Sequence, residues 1–154
     1  KGVLNKDAFE PNYQVLPNSE WISQECDILI PAALEDVINA TNADKIKASL
    51  LVEAANIPTT PEADEILRKN GVDVAVDFIS NLGGIRIYEA VIFRLVKIEN
   101  MNDADAAAAI VKDTVDLIRK QTRLVFEESK KTGEFTRDVA RRLFTPDKSD
   151  TPDM

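Results

Sequence analysis

A strand, a polar loop and a helix start follow one another within residues 50–64, LLVEAANIPTTPEAD. The first three residues form the short apolar run that a strand covered on both faces requires. Thr60 precedes Pro61, which predicts an N-cap followed by proline at the first helical position. Residues 53–56 then follow the carboxyl end of a strand, which is where open α/β sheets bind ligands. The stretch predicts a ligand-binding geometry without naming a ligand.

Similar apolar runs lie on either side of this stretch and alternate with helical segments. Residues 27–30 (DILI) predict an earlier strand, which Pro31 ends because proline cannot donate to a strand ladder. Residues 72–76 predict a later strand, which follows a helix over residues 61–69 with Gly71 at its C-terminus. Strands that alternate with helices predict a parallel α/β sheet.

Several shorter elements are predicted outside this alternation. A short helix is expected to begin at Asn18 or Ser19, since either side chain could cap it. Residues 34–38 and 42–48 predict further helical turns, and residues 2–4 predict a short strand.

After Gly84 the pattern becomes entirely helical. A first helix carries Ile85, Tyr88 and Ile92 on one face. A long helix is predicted over residues 103–131, with an apolar seam that contains Val111, Val115, Ile118 and Val125. A final amphipathic helix is predicted over residues 135–144.

Composition excludes several functional classes. The net charge is −8 and the densest basic clusters are only pairs, so nucleic-acid binding is disfavoured. Without histidine, and with Cys26 as the only cysteine, the chain cannot form a zinc site, a Ser-His triad or an internal disulfide. Cys26 itself is expected to be a small buried hydrophobe.

The ends and the hydropathy of the chain lead to further expectations. No apolar run reaches the length of a membrane span, and the first residues lack a secretory signal. We therefore expect a cytoplasmic location, with an organelle matrix as the alternative. Because the sequence begins with Lys1 instead of methionine, we also expect a processed chain or a piece of a longer protein.

Three segments resemble the cofactor-binding domain of glutamate dehydrogenases, in the Glu/Leu/Phe/Val dehydrogenase family. They are CDILIPAALEDVI (26–38), NADKIKASLLVEAANIPTTPEADEIL (42–67) and DFISNLGGI (77–85). The resemblance implies an α/β fold, namely the second half of a doubly wound Rossmann-like parallel sheet followed by C-terminal helices. Residues 1–99 would be a partial dinucleotide-binding domain and residues 100–144 a helical segment packed on it. Residues 145–154 would be a disordered tail.

The resemblance also implies what this chain does not contain. The glycine-rich phosphate loop of the family would lie upstream, because residues 83–84 are the only glycine pair here. The catalytic lysine and aspartate of the family belong to a preceding domain, and no lysine or aspartate in this chain matches them. The chain alone is therefore not expected to catalyse a reaction.

Four cofactor-binding residues are implied by the resemblance. Ala32 and Ala33 match positions on the adenosine side of the cofactor, although without the resemblance they could simply pack. Asn56 matches an asparagine near the nicotinamide ribose. Asn81 matches one that binds the nicotinamide carboxamide, because an amide supplies both a donor and an acceptor. Asn81 could equally cap the helix that follows it.

Other positions depart from the family. Ala54 and Ile57 stand where the family has glycine, so a positive φ or a close ligand approach there would carry a cost. Tyr88 stands where a serine helps to hold the substrate in the glutamate enzymes, and its place on an apolar face also suits core packing. For Glu53 and Asp77, at two predicted strand ends, we expect hydrogen bonding within the loops instead of acid–base chemistry.

The function implied by the resemblance is that of a fragment of an NAD(P)-dependent amino-acid dehydrogenase of the glutamate type. The intact parent would oxidise an L-amino acid to a 2-oxo acid and ammonia, with NAD or NADP as cofactor. One alternative is a family-derived nucleotide-binding or regulatory module that does not catalyse. Another is a dehydrogenase for a different amino acid. Expected partners are two small molecules, an amino acid and a nucleotide, and further copies of the chain, with no nucleic acid and no membrane.

Overall fold

The fold is built on a small parallel sheet. The structure is a computed structural model that describes residues 15–92 and 104–145. Its three strands are β1 (Ile28–Leu29), β2 (Leu50–Val52) and β3 (Asp73–Ala75), and they lie in the order β1-β2-β3. Both strand pairs are parallel. The predicted α/β class is therefore confirmed, and the strand predicted at residues 50–52 is the central strand of the sheet.

Among the described residues, one α-helix lies between β2 and β3, and four follow β3 in the chain. The α-helices are α1 (Pro61–Lys69), α2 (Asp77–Ser80), α3 (Gly83–Ile92), α4 (Ala104–Thr132) and α5 (Thr136–Phe144). Two 3₁₀-helices, Asn18–Ser23 and Ala43–Lys45, lie before β1 and β2 respectively. None of the helices in the described ranges combines the length and apolarity that crossing a membrane requires.

Local signals explain where α1 begins and ends. The side chain of Thr60 accepts a hydrogen bond from the backbone N–H of Ala63 at 3.3 Å, and Pro61 is the first helical residue. The helix ends before Gly71, whose φ of +70° is the left-handed conformation that glycine adopts without strain. The predicted helix over residues 61–69 is confirmed at both ends.

The core lies between the sheet and the helices α1, α4 and α5. Leu51 and Val74 from the sheet, Leu67 from α1 and Val139 from α5 are fully buried there. Helix α5 packs on β3, and the Oγ1 of Thr136 accepts a hydrogen bond from the backbone N–H of Val74 at 2.9 Å. This contact covers the edge of the sheet formed by β3. At the opposite edge, Ile28 in β1 stays 51% exposed.

The helix predicted over residues 34–38 is wrong. This segment is a turn that ends in a parallel bridge between Ile38 and Thr59. The backbone N–H of Ile38 donates to the carbonyl of Pro58, and the carbonyl of Ile38 accepts from the N–H of Thr60. Because these backbone groups are bound by a distant loop, the segment cannot form its own helical hydrogen bonds.

Smaller corrections concern the early helices and one side chain. Pro17, and not Asn18 or Ser19, precedes the first 3₁₀-helix, which has no side-chain cap. The turns predicted over residues 42–48 shorten to a single 3₁₀ turn. Cys26 is exposed and is not a buried hydrophobe; it precedes β1, whose first residue is also exposed.

The long helix α4 is confirmed, but its predicted seam is buried only in part. Val125 is buried against the core, whereas Val111 and Val115 are exposed among the described residues. The predicted strand at residues 2–4 lies outside the described residues, as does the predicted tail beyond Thr145.

Candidate functional site

A cleft opens beyond the carboxyl ends of β1 and β2. Its volume is about 380 Å³, within the usual range of small-molecule sites. The cleft is lined by Ala32, Ala33, Leu34, Glu35, Ala54, Ala55, Asn56 and Asn81. All four cofactor-binding residues expected from the sequence therefore line one cleft. Four of the lining residues are alanines, and their short side chains would let a flat ligand approach the backbone closely.

Strand register places the loops of the cleft side by side. Leu50 pairs with Ile28 and Leu51 pairs with Leu29, so β2, which continues to Val52, ends one residue beyond β1 at the same edge of the sheet. Just beyond these strands, the backbone N–H of Ala54 donates to the carbonyl of Pro31 at 3.0 Å. The parallel pairing thus continues for one hydrogen bond into the loops that carry the alanines.

Two asparagine side chains meet at the cleft. The Nδ2 of Asn81 donates a hydrogen bond to the Oδ1 of Asn56 at 2.8 Å. Within the described part of the chain, this leaves the Nδ2 of Asn56 and the Oδ1 of Asn81 without a partner. The pair therefore offers one amide donor and one carbonyl acceptor to a ligand.

Asn81 does not cap the helix that follows it. The backbone N–H of Arg86 donates to the carbonyl of Leu82, so Leu82 stands at the start of α3. The Asn81 side chain is bound to Asn56 instead. Of the two roles left open by the sequence, the capping role is wrong.

The loop that carries Asn56 has a strained backbone. Ile57, a β-branched residue, has a φ of +43°. In the described ranges, the only other non-glycine residue with a positive φ is Asp36, at +52°. Ala54 has an ordinary φ, so the cost expected where the family has glycine appears at Ile57 alone. Two hydrogen bonds hold Ile57: its N–H donates to the Oδ2 of Asp77 at 2.8 Å, and its carbonyl accepts from the N–H of Asp36 at 3.0 Å.

A buried ionic cluster lies directly behind the cleft. Glu53, the first residue after β2, is fully buried and accepts two hydrogen bonds from Arg137, at 2.6 Å from Nη2 and 3.1 Å from Nη1. The Nε of Arg137 donates to the Oδ1 of Asp64 at 2.7 Å. Glu53 also accepts a hydrogen bond from the backbone N–H of Asp77 at 3.0 Å. The expected hydrogen-bonding role of Glu53 and Asp77 is thus confirmed.

Charge and burial act against each other in this cluster. Burial raises the pKa of Asp64 above its ordinary value, although the charge and hydrogen bond of Arg137 act to lower it. Burial acts to lower the pKa of Arg137, but the hydrogen bond and charge of Glu53, together with Asp64, outweigh it and raise the pKa. Arg137 therefore remains a cation inside the protein.

Arg137 and Asp64 are not among the functional residues that the sequence predicts. The available signal was helical periodicity, since Arg137 lies three residues before Ala140 and shares its buried face of α5. An arginine on a buried face requires an acidic partner. The sequence does not say which of the chain's many carboxylates that partner is.

Tyr88 lies apart from this arrangement. It does not line the cleft, and its side chain is 67% exposed on α3. The core-packing interpretation of Tyr88 is therefore wrong for the residues that the structure describes.

Comparisons with known proteins show which family the chain is similar to. The family model described as Glutamate/Leucine/Phenylalanine/Valine dehydrogenase matches residues 2–90, more than half of the chain. An NADP-specific glutamate dehydrogenase from Saccharolobus shibatae is 49% identical over 75 residues, which are 49% of this chain and 18% of that protein. A glutamate dehydrogenase from Thermotoga maritima is 49% identical over 77 residues, which are 50% of this chain and 18% of that protein.

A solved structure extends the likeness to the fold. The L-tryptophan dehydrogenase from Nostoc punctiforme superposes with a TM-score of 0.63 at 26% sequence identity. The superposition covers 82% of this chain and 35% of that one. The chain thus spans only a minor part of the length of each protein that it resembles.

Proposed function

The chain belongs to the Glutamate/Leucine/Phenylalanine/Valine dehydrogenase family, and on this premise we propose that its cleft is the nicotinamide side of a dinucleotide site. The parent protein would be an NAD(P)-dependent amino-acid dehydrogenase, which oxidises an L-amino acid to a 2-oxo acid and ammonia. When bound, the nicotinamide supplies the hydride chemistry. The residues of this chain bind and orient it.

The observation that carries the proposal is the asparagine pair. Among the residues that the structure describes, the Asn56 donor and the Asn81 acceptor have no partner, and they are complementary to a carboxamide, which presents one carbonyl and one NH₂ group. Ala32 and Ala33, which also line the cleft, would contact the cofactor towards its adenosine side. The donor set present in the cleft therefore fits the group that the family implies.

This chain would form only part of the site. Its five glycines contain no G-x-G-x-x-G fingerprint, so the phosphates of the dinucleotide would be held by another part of the parent. We propose that residues 1–99 belong to the dinucleotide-binding domain and residues 100–144 to a helical segment that supports it. The packing of α4 on α2 and of α5 on β3 supports the assignment of the second segment as one that packs on the first.

We also propose that this chain associates with further copies of itself. Among the described residues, the edge of β1 carries the exposed side chains of Ile28 and Ile30. An apolar sheet edge is a surface on which another strand or chain can pack. Light scattering of this chain over a range of concentrations tests the proposal, and a monomer at high concentration would contradict it.

Dinucleotide titration of the parent tests the proposed site. We expect NADH or NADPH to bind, and we expect Asn56→Ala and Asn81→Ala each to weaken binding. Asn70→Ala is the matched control, because Asn70 is an exposed asparagine at the end of α1, outside the cleft. Equal affinities of all four proteins would contradict the assignment of the cleft.

A non-catalytic nucleotide-binding module is the second candidate. The strained Ile57, next to Asn56, is the observation that favours it, because this loop is less able to adapt to a ligand than one with glycine. Assays of the parent with glutamate and a panel of other amino acids separate the two candidates. Turnover of any amino acid supports the dehydrogenase, whereas dinucleotide binding without turnover supports the module.

A further inference from the structure

Arg137 connects the helix α5 to the loop that carries Asn56. Its side chain is only 7% exposed and forms a two-pronged ion pair with Glu53, three residues before Asn56. Its third contact, to Asp64, is with the first part of α1. One guanidinium from α5 thus contacts both the first residue of the segment that links β2 to α1 and the first turn of α1.

Glu53 in turn holds the backbone beside both asparagines. Its carboxylate accepts the N–H of Asp77, and the carboxylate of Asp77 accepts the N–H of Ile57, the residue after Asn56. The carbonyl of Glu53 accepts the hydroxyl of Ser80, the residue before Asn81, at 2.5 Å. Both asparagines therefore have a neighbour in the chain that is tied, directly or through Asp77, to Glu53.

The position of Glu53 depends on Arg137. A fully buried carboxylate is costly unless it is paired and hydrogen-bonded. Arg137 provides both through a rigid, planar fork that lysine cannot reproduce. If this ion pair were lost, the carboxylate of Glu53 would be more stable in contact with water than buried. The loop on which Glu53 lies would then shift with it.

We propose that Arg137 is a positioning residue of the dinucleotide site, which acts through Glu53 to set the Asn56–Asn81 pair. The inference rests on the proposed function of the cleft. It assigns to α5, a helix that contributes no residue to the cleft lining, control over how well the cleft binds its ligand.

The test compares Arg137→Lys with Arg142→Lys in the parent protein. Arg142 is the matched control, because it lies on the same helix and pairs with Glu134 at the surface. Dissociation constants for NADH and NADPH are measured together with the NMR signals of the Asn56 and Asn81 side-chain amides. Circular dichroism and thermal melting establish that each variant is folded at the temperature of the titration.

We expect Arg137→Lys to remain folded and to raise the dissociation constant by about tenfold or more, because small misplacements of binding groups are costly. The amide signals of both asparagines should shift in the free protein. Arg142→Lys should change neither quantity. If Arg137→Lys does not fold, the double variant Glu53→Gln/Arg137→Met, which removes both charges of the pair, is measured in its place with the same expectation.

Three results would overturn the inference. They are unmoved amide signals, an unchanged dissociation constant in a parent that binds dinucleotide, and an equal effect of Arg142→Lys. If the unmodified parent binds neither NADH nor NADPH, the proposed function fails. The amide signals of the free variant then still decide whether Arg137 positions the asparagines.

Discussion

Asp36 and Ile57 both adopt left-handed backbone conformations and are joined by a hydrogen bond of 3.0 Å from the N–H of Asp36 to the carbonyl of Ile57. Asp36 belongs to the turn after β1, and Ile57 belongs to the loop after β2. Asparagine and aspartate tolerate this conformation, whereas a β-branched residue adopts it at a cost. The contact between the two loops of the cleft is therefore made with a strained residue on one side.

Replacing Ile57 with glycine should stabilise the protein. Ile57 is 62% exposed, so the substitution removes little buried surface. It relieves strain of about 1–3 kcal/mol but adds entropy to the unfolded chain, so we expect a net gain of roughly 1 kcal/mol. Urea unfolding measures this gain. Ile30→Gly, at an exposed isoleucine with ordinary φ, is the control and should destabilise the protein.

Removing the carboxylate of Glu53 should destabilise the protein strongly. Glu53→Ala leaves the cation of Arg137 with only Asp64 as a counter-ion inside the protein. Breaking a buried ion pair in this way costs about 3–5 kcal/mol. Glu134→Ala removes a surface partner of Arg142 and should cost far less, because solvent screens exposed ion pairs. Thermal or urea unfolding measures both losses of stability. Similar losses for the two variants would show that burial does not make the loss of an ion pair more costly.

The pKa of Asp64 leads to a pH dependence with a definite sign. Burial raises this pKa in the folded protein, so the folded state binds the proton more tightly than the unfolded chain does. The corresponding stability is fully present below the unfolded pKa and is lost as the pH rises through the folded pKa. We expect the free energy of unfolding, relative to that of Asp64→Asn, to increase on acidification from about pH 7 to about pH 4. Urea unfolding of both proteins across this range measures the difference, and a decrease on acidification would reverse the sign.

Replacing Thr136 with valine should weaken the attachment of α5 to the sheet. Thr136 is buried, and its hydroxyl oxygen is the acceptor for the backbone N–H of Val74. Leaving this buried donor unsatisfied costs about 1–3 kcal/mol. Thr132→Val is the control, because the hydroxyl of Thr132 binds the carbonyl of Glu128 at the surface of α4. Hydrogen exchange at the Val74 amide should accelerate in the first variant and stay unchanged in the second.

The elements that the sequence predicts correctly are those with local causes. Helix α1 is an example, since its cap at Thr60, its first proline and its terminating Gly71 all lie within or beside it. The apolar runs likewise locate all three strands, because a strand that contributes to the core needs such a run wherever it occurs. The four cofactor residues expected from the resemblance also lie together, in the lining of one cleft.

The features that the sequence does not predict have distant causes. The turn before Ile38 looks helical by composition, yet its hydrogen bonds go to Pro58 and Thr60 in another loop. Arg137 and Glu53 are 84 positions apart, and nothing local to either residue specifies the other. Periodicity reports which face of a helix is buried but not which residue it meets there.

The distance between Glu53 and Arg137 also sets an order of events during synthesis. Glu53 leaves the ribosome 84 residues before its counter-ion does. Strands β1 to β3 can pair earlier, because all three precede α5 in the chain. The loop beside the asparagines, however, lacks the cation that neutralises its buried carboxylate until α5 has been translated. The ligand side of the sheet is therefore expected to mature late, after its strands.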